Sequence, residues 1–167
     1  MTHTNERHSW PVAELDPVRR LRVLASTIPG LCLVERTIPA PFDDVWSMAS
    51  DLEYELPRLG GHFVGDFRIT QRNGDRIIAR VYGPLGIRDD FAITLRPGWC
   101  WMEGHVLSAA MAASVTPDGT LFAWAARLKL PGGRLLTPLS ARSLRRTLER
   151  LEAHVLESMN FPTDPLH

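Results

Sequence analysis

Apolar residues near the C-terminus recur at three- and four-residue spacing. Ala141, Leu144, Leu148, Leu151, Val155 and Met159 fall on one stripe, with Arg145, Arg146, Glu149, Arg150 and Glu157 on the other side. That period predicts a long amphipathic helix with its stripe against a core. Upstream, Phe63 to Leu130 reads as consecutive strands separated by turn signals: Asn73-Gly74, Gly83-Pro-Leu-Gly86, Pro97-Gly98, Leu107-Ser108 and Asp118-Gly119. Before them, Asp16 as N-cap and Pro17 at the first helical position predict a helix from Pro17 to Ser26, stopped by Ile28-Pro29-Gly30. Leu31 to Ile38 reads as a strand and Phe42 to Leu52 as a short amphipathic helix. A second short helix or turn follows, broken at Pro57 and closed by Gly60-Gly61.

Turns fix register, and opposed residues share a face of the sheet. A turn at Asp118-Gly119 opposes Val115 to Phe122 and Ala113 to Trp124; one at Leu107-Ser108 opposes Gly104 to Met111. Pro97-Gly98 opposes Leu95 to Cys100 and Ile93 to Met102. A four-residue loop at 83–86 opposes Tyr82 to Ile87 and Arg80 to Asp89, and Asn73-Gly74 opposes Ile69 to Ile78 and Phe67 to Arg80. Together these place Phe67, Ile69, Ile78, Tyr82, Phe91, Ile93, Leu95, Met102, Met111, Val115, Phe122, Trp124 and Leu128 on the face under the helix. Gly104, Ala109, Ala113 and Ala126 lie in its middle, leaving room for close helix packing or for a cavity. The opposite face carries Trp99, Trp101, Glu103, His105, Ala110, Ala112, Leu121, Ala123 and Ala125, unusually apolar for solvent. Such a face has a cover or a partner: the segment through Ser26, or a second copy of the chain in a homodimer.

The 167 residues suit one domain. Acidic and basic residues balance at 19 each, against the basic excess of a nucleic-acid binder. Cys32 and Cys100 lie far apart in apolar runs and read as reduced, buried thiols of a cytoplasmic protein. No apolar run is long enough to span a bilayer, and the polar start has no signal-peptide core behind it. The six histidines show no metal-ligand spacing. Gly60-Gly61 and Gly132-Gly133 lack a phosphate-loop context, and Gly-x-Ser-x-Gly is absent. The expectation is therefore no metal and no cofactor, with catalytic residues unassigned.

The segment Glu35-Arg-Thr-Ile-Pro-Ala-Pro-Phe-Asp-Asp-Val-Trp46, followed by Ser50-Asp51-Leu52-Glu53, resembles the opening of the START/Bet v 1-like (SRPBCC) superfamily, and most of all its polyketide cyclase/dehydrase and lipid-transport group. Pro117-Asp-Gly-Thr120 is similar to the turn before the last strand of that group, and Leu130-Pro-Gly-Gly133 to its lead into the long helix. The resemblance runs from Leu31 to Met159. It implies an α+β helix-grip fold, a curved seven-stranded antiparallel sheet around the C-terminal helix with a cavity between them. The chain then divides into an N-terminal extension with a short helix (1–30), a ligand-binding domain (31–160) and a tail (161–167). Such a fold supplies a cavity but no mechanism.

Phe67, Ile69, Arg80, Tyr82, Asp89, Phe91, Met102, Met111, Trp124, Leu148 and Leu151 are the expected cavity lining. Arg80 with Asp89 would be the polar pair inside, either a structural salt bridge or the contact for a polar ligand group. His154 reads as an exposed helix residue. Three functions follow: a binder or carrier of a small apolar molecule (a lipid, isoprenoid, polyketide or aromatic metabolite), a cyclase/dehydratase-like enzyme using Arg80, Asp89 or Tyr82, or an interaction module using the tryptophan-rich outer face. An apolar interior with few ionisable groups favours the first, because acid–base catalysis needs a positioned titratable side chain.

Overall fold

The computed structural model describes residues 15–60, 66–82, 88–133 and 137–160. Helix α1 (Pro17–Thr27) begins where Asp16 Oδ1 accepts the Arg19 N–H at 3.1 Å, and ends where the Ile28 N–H reaches the Leu24 carbonyl at 2.8 Å. Strand β1 (Cys32–Ile38) follows, then α2 (Phe42–Ala49), with Asp43 and Asp44 in its first turn, where the helix dipole favours negative charge. It stops short of the expected Leu52 because Ser50 takes the C-cap. Pro57 does not break the next helix, α3 (Glu55–Gly60). It lies in the first turn, where its missing N–H has no intrahelical partner to lose.

Strands β2 (Asp66–Asn73), β3 (Arg76–Tyr82), β4 (Arg88–Arg96), β5 (Trp99–Glu103), β6 (Leu107–Thr116) and β7 (Gly119–Leu128) precede α4 (Thr137–Asn160). The seven strands form one curved antiparallel sheet in the order β1-β7-β6-β5-β4-β3-β2. Helix α4 packs on β1, β7, α2 and α3. Leu144, Leu148, Leu151 and Val155 of its stripe are buried in a core with Ile77, Phe91, Met102, Met111, Phe122 and Trp124. The stripe runs out at its ends, where Ala141 is half-buried and Met159 exposed.

A second apolar layer lies on the other side of the sheet. Val18 and Leu21 of α1 sit on Trp99, Ala110, Ala112, Ala123 and Ala125, all buried. The four alanines let the helix approach closely, and the Arg20 guanidinium lies 4.5 Å from the Trp99 ring centroid. Arg22 holds Glu35 of β1 through two bonds of 2.7 Å. Helix α1 thus covers Trp99 and the alanines of the apolar outer face.

The expected register holds at β4–β5, where Leu95 faces Cys100 and Ile93 faces Met102. At β6–β7 and β5–β6 the partners differ but the faces do not. Pro117-Asp118 sit in the turn, so Ala113 pairs with Phe122; the β5–β6 turn closes at Glu103–Ser108, ahead of Leu107-Ser108. Both shifts are even, so no side chain changes face. Strand β3 differs by an odd step. Gly74-Asp75 form its turn, Asn73 pairs with Arg76, a bulge falls between Ile69 and Gln71, and Tyr82 meets Arg88 rather than Ile87. Ile77, Ala79 and Val81 therefore point inward, while Ile78, Arg80 and Tyr82 point out. Val115 lies beyond the reach of the helix and is 77% exposed. Gly83-Pro-Leu-Gly86, Gly61 and Phe63 lie outside the described residues.

Candidate functional site

The antiparallel order gives the sheet two distinct ends. The β2–β3, β4–β5 and β6–β7 turns lie at one, the hairpin end. The starts of β2 and β4, the ends of β3 and β7 and the β5–β6 turn lie at the other, the connection end. Toward the hairpin end Ile77, Cys100, Met111, Ala113 and Phe122 are at most 1% exposed, while Leu95 is half-buried and Val115 at the strand tip is exposed. At the connection end Phe67, Val81, Asp89, Ala109 and Leu144 retain 7–9%. Phe67, Val81 and Asp89 form one row across β2, β3 and β4. The Phe67 and Phe91 rings are tilted against each other at 6.0 Å, and Phe122 meets Trp124 edge-on at 6.3 Å.

Of the expected lining residues, Phe67, Phe91, Met102, Met111, Trp124, Leu148 and Leu151 come together in this interior, with Ile69 at its margin. Arg80 and Tyr82 do not. Arg80 is on the outer face, where its guanidinium donates to Asp90 at 2.8 and 3.3 Å. That bond, the largest influence on both groups, holds the Asp90 carboxyl below its ordinary pKa and Arg80 above its own. Tyr82 stands between the Arg68 and Arg88 guanidiniums, 5.4 and 5.7 Å from its ring centroid. The expected Arg80–Asp89 pair is not formed, because the odd register step sends the two side chains to opposite faces.

Asp89 points inward and spends its carboxylate locally. Oδ1 accepts the His105 N–H at 3.0 Å and lies 2.9 Å from His105 Nδ1; Oδ2 accepts the Val106 N–H at 3.0 Å. Burial raises its pKa, but these bonds outweigh burial and leave it below the usual value. The carboxylate thus fastens the start of β4 to the β5–β6 turn. His105, expected on the outer face without a role, is anchored through Nδ1 while its side chain remains 87% exposed. Nε2 is left for solvent or a ligand. Nothing in the sequence around His105 signals this, because the contact depends on the β5–β6 turn falling ahead of Leu107-Ser108. Lys129 Nζ reaches the Gly104 carbonyl at 2.6 Å and pairs with Glu103, bracing the same turn. On α4, His154 is half-exposed with Nε2 3.2 Å from Glu55 Oε2 of α3.

Both cysteines are free. Burial pushes the Cys100 thiol up to about 12 and raises Cys32 as well, so neither is an activated nucleophile. No cluster of metal-ligating side chains occurs among the described residues. No described helix is long and apolar enough to cross a membrane.

No family model and no curated protein matches the chain. Solved structures do. TTHA0849 from Thermus thermophilus is 22% identical, with a TM-score of 0.54 over 77% of this chain and 98% of its own. A START superfamily protein from Mycobacterium smegmatis is 17% identical, with a TM-score of 0.54 over 76% and 97%. Ara h 8.0201 is 15% identical, with a TM-score of 0.53 over 76% and 97%. The fold is START/Bet v 1-like. At these identities the likeness is one of architecture. It agrees with the helix-grip arrangement expected from the Ala-Pro and Asp-Gly-Thr segments, and α1 lies before the stretch where that resemblance begins.

Proposed function

We propose that the protein binds or carries a small apolar molecule between the concave face of the sheet and α4, admitted at the connection end. The molecule would be a lipid, isoprenoid, polyketide or aromatic metabolite. The observation that carries this reading is the gradient of closure along the interior. Ile77, Met111 and Phe122 toward the hairpin end are at most 1% exposed, whereas Phe67, Val81, Ala109 and Leu144 toward the connection end, though buried, keep 7–9%. Helix α4 grips the β1–β7 side and leaves β2 to β4 as an apolar wall. Phe67, Phe91, Met102 and Trp124 would recognise the ligand, with Met111, Leu148 and Leu151 as its floor. Burying apolar surface supplies about 25 cal/mol per Å². His105 at the rim offers one polar group, in keeping with sites that are mostly apolar with few placed donors and acceptors. The free thiols fit a cytoplasmic setting.

The other two readings have less behind them. The acid–base set proposed for a cyclase or dehydratase is divided between two faces, and the outer tryptophan face is packed beneath α1.

Titration with the neutral fluorophore N-phenyl-1-naphthylamine tests the proposal. Saturable enhancement is expected, lost in Ala109→Trp, which would block the proposed entrance, and kept in Val115→Trp at the exposed strand end. Absent enhancement, or enhancement indifferent to a well-folded Ala109→Trp, would overturn it.

A further inference from the structure

A second concavity lies on the outer face at the hairpin end, separate from the interior. It is a cleft of about 560 Å³ lined by Arg20, Asn73, Asp75, Arg76, Thr94, Arg96 and Trp99. Three guanidinium groups and one carboxylate share it. Two of the arginines are held in place. Arg20 lies over the Trp99 ring at 4.5 Å, and Arg96 donates through Nε to Asp75 Oδ2 at 2.7 Å. Asp75 is fixed in turn, its carbonyl accepting the Leu95 N–H at 2.8 Å. The register sets Arg76 directly opposite Thr94 and Arg96 directly opposite Trp99, so the donors rise from adjacent rows of one rigid sheet.

An arginine fork anchored through Nε keeps its terminal nitrogens for another acceptor, and guanidinium geometry matches the oxygens of a phosphate. The volume lies within the roughly 300–1,000 Å³ typical of small-molecule sites. We infer that this cleft binds a small, soluble, phosphate-bearing molecule between Arg20, Arg76 and Arg96, with Thr94 and Asn73 as neutral hydrogen-bonding partners. The site depends on α1, which supplies Arg20 from the cover helix, and it does not depend on ligand binding in the interior.

The test is calorimetric titration of the full chain with inorganic pyrophosphate at about 0.1 M ionic strength, where charges are screened over about 10 Å. Saturable one-site binding is expected. Arg76→Gln/Arg96→Gln should weaken it at least about tenfold, as two charge-assisted contacts would. Arg88→Gln/Arg127→Gln removes the same net charge at the opposite end of the sheet, beyond the screening length, and should leave it nearly unchanged. Thermal unfolding of each variant confirms that the fold is kept. Absent saturable binding, or equal weakening by both double variants, overturns the inference. So does binding only to phosphatidylcholine vesicles carrying phosphatidic acid, which would assign the arginines to a membrane surface.

Discussion

Gly104 lies against Asp89 so closely that a Cβ built on it would stand 2.5 Å from Asp89 Oδ2 and 2.8 Å from Phe91 Cζ. The glycine is what lets the β5–β6 turn fold over the carboxylate that anchors it. Gly104→Ala is expected to destabilise the protein by about 1–3 kcal/mol, the usual range for overpacking. Chemical denaturation checks this; an unchanged midpoint would mean the turn can shift freely.

Asp89→Asn keeps the shape but removes the charge that accepts from His105 and Val106. Hydrogen bonds to charged groups contribute about 1.5–3 kcal/mol, so a loss in that range is expected at neutral pH. The pH dependence has a definite sign. The pKa of Asp89 is lower in the folded state, so its contribution is present above the unfolded value of about 3.9 and disappears as pH falls through the folded one. The gap between wild type and Asp89→Asn should therefore narrow in acid. Denaturation midpoints from neutral pH to below about 4 measure it, and a gap constant with pH would contradict the assignment.

The C-terminal helix offers an internal contrast. Leu148 is buried on its stripe while Met159 is exposed at its end. Leu148→Ala is expected to lower stability by about 2–5 kcal/mol. Met159→Ala should stay within about 0.5 kcal/mol. Similar effects from the two would show that the stripe is not the helix's buried face.

Leu21 of α1 is fully buried against the alanines of β6 and β7. Leu21→Ala should lower stability by about 2–5 kcal/mol in a single cooperative transition, as expected for α1 folding with the sheet. A separate early transition, with the main one unmoved, would make α1 an independent appendage.

These relationships differ in how far the sequence disclosed them. The helix stripe, the Asp16-Pro17 start and the two faces of β4 to β7 follow from periodicity and turn chemistry, because errors of two or four residues in a hairpin leave every side chain on its own face. Strand β3 did not have that protection. Asn73-Gly74 suggests a turn centred on those residues, yet Gly74-Asp75 take the corner and a bulge after Ile69 absorbs part of the shift. Ile77-Ile78 and Val81-Tyr82 are apolar on both sides of the alternation, so hydrophobicity could not settle which face was inner. The expected pairing of Arg80 with Asp89 depends on that unsettled choice of face. Asp90, one position on, is Arg80's actual partner. The polar feature of the interior, Asp89 holding the turn at Gly104 to Val106, has no sequence signature, since its main partners are backbone N–H groups that nearly any residue supplies.

Native mass spectrometry of the protein purified from its own host tests the central claim most directly. The expected spectrum holds a non-covalent complex with a small apolar molecule that is released on denaturation and absent from Ala109→Trp. The bare polypeptide mass alone for the wild type, under conditions that preserve the fold, would contradict a ligand-binding interior.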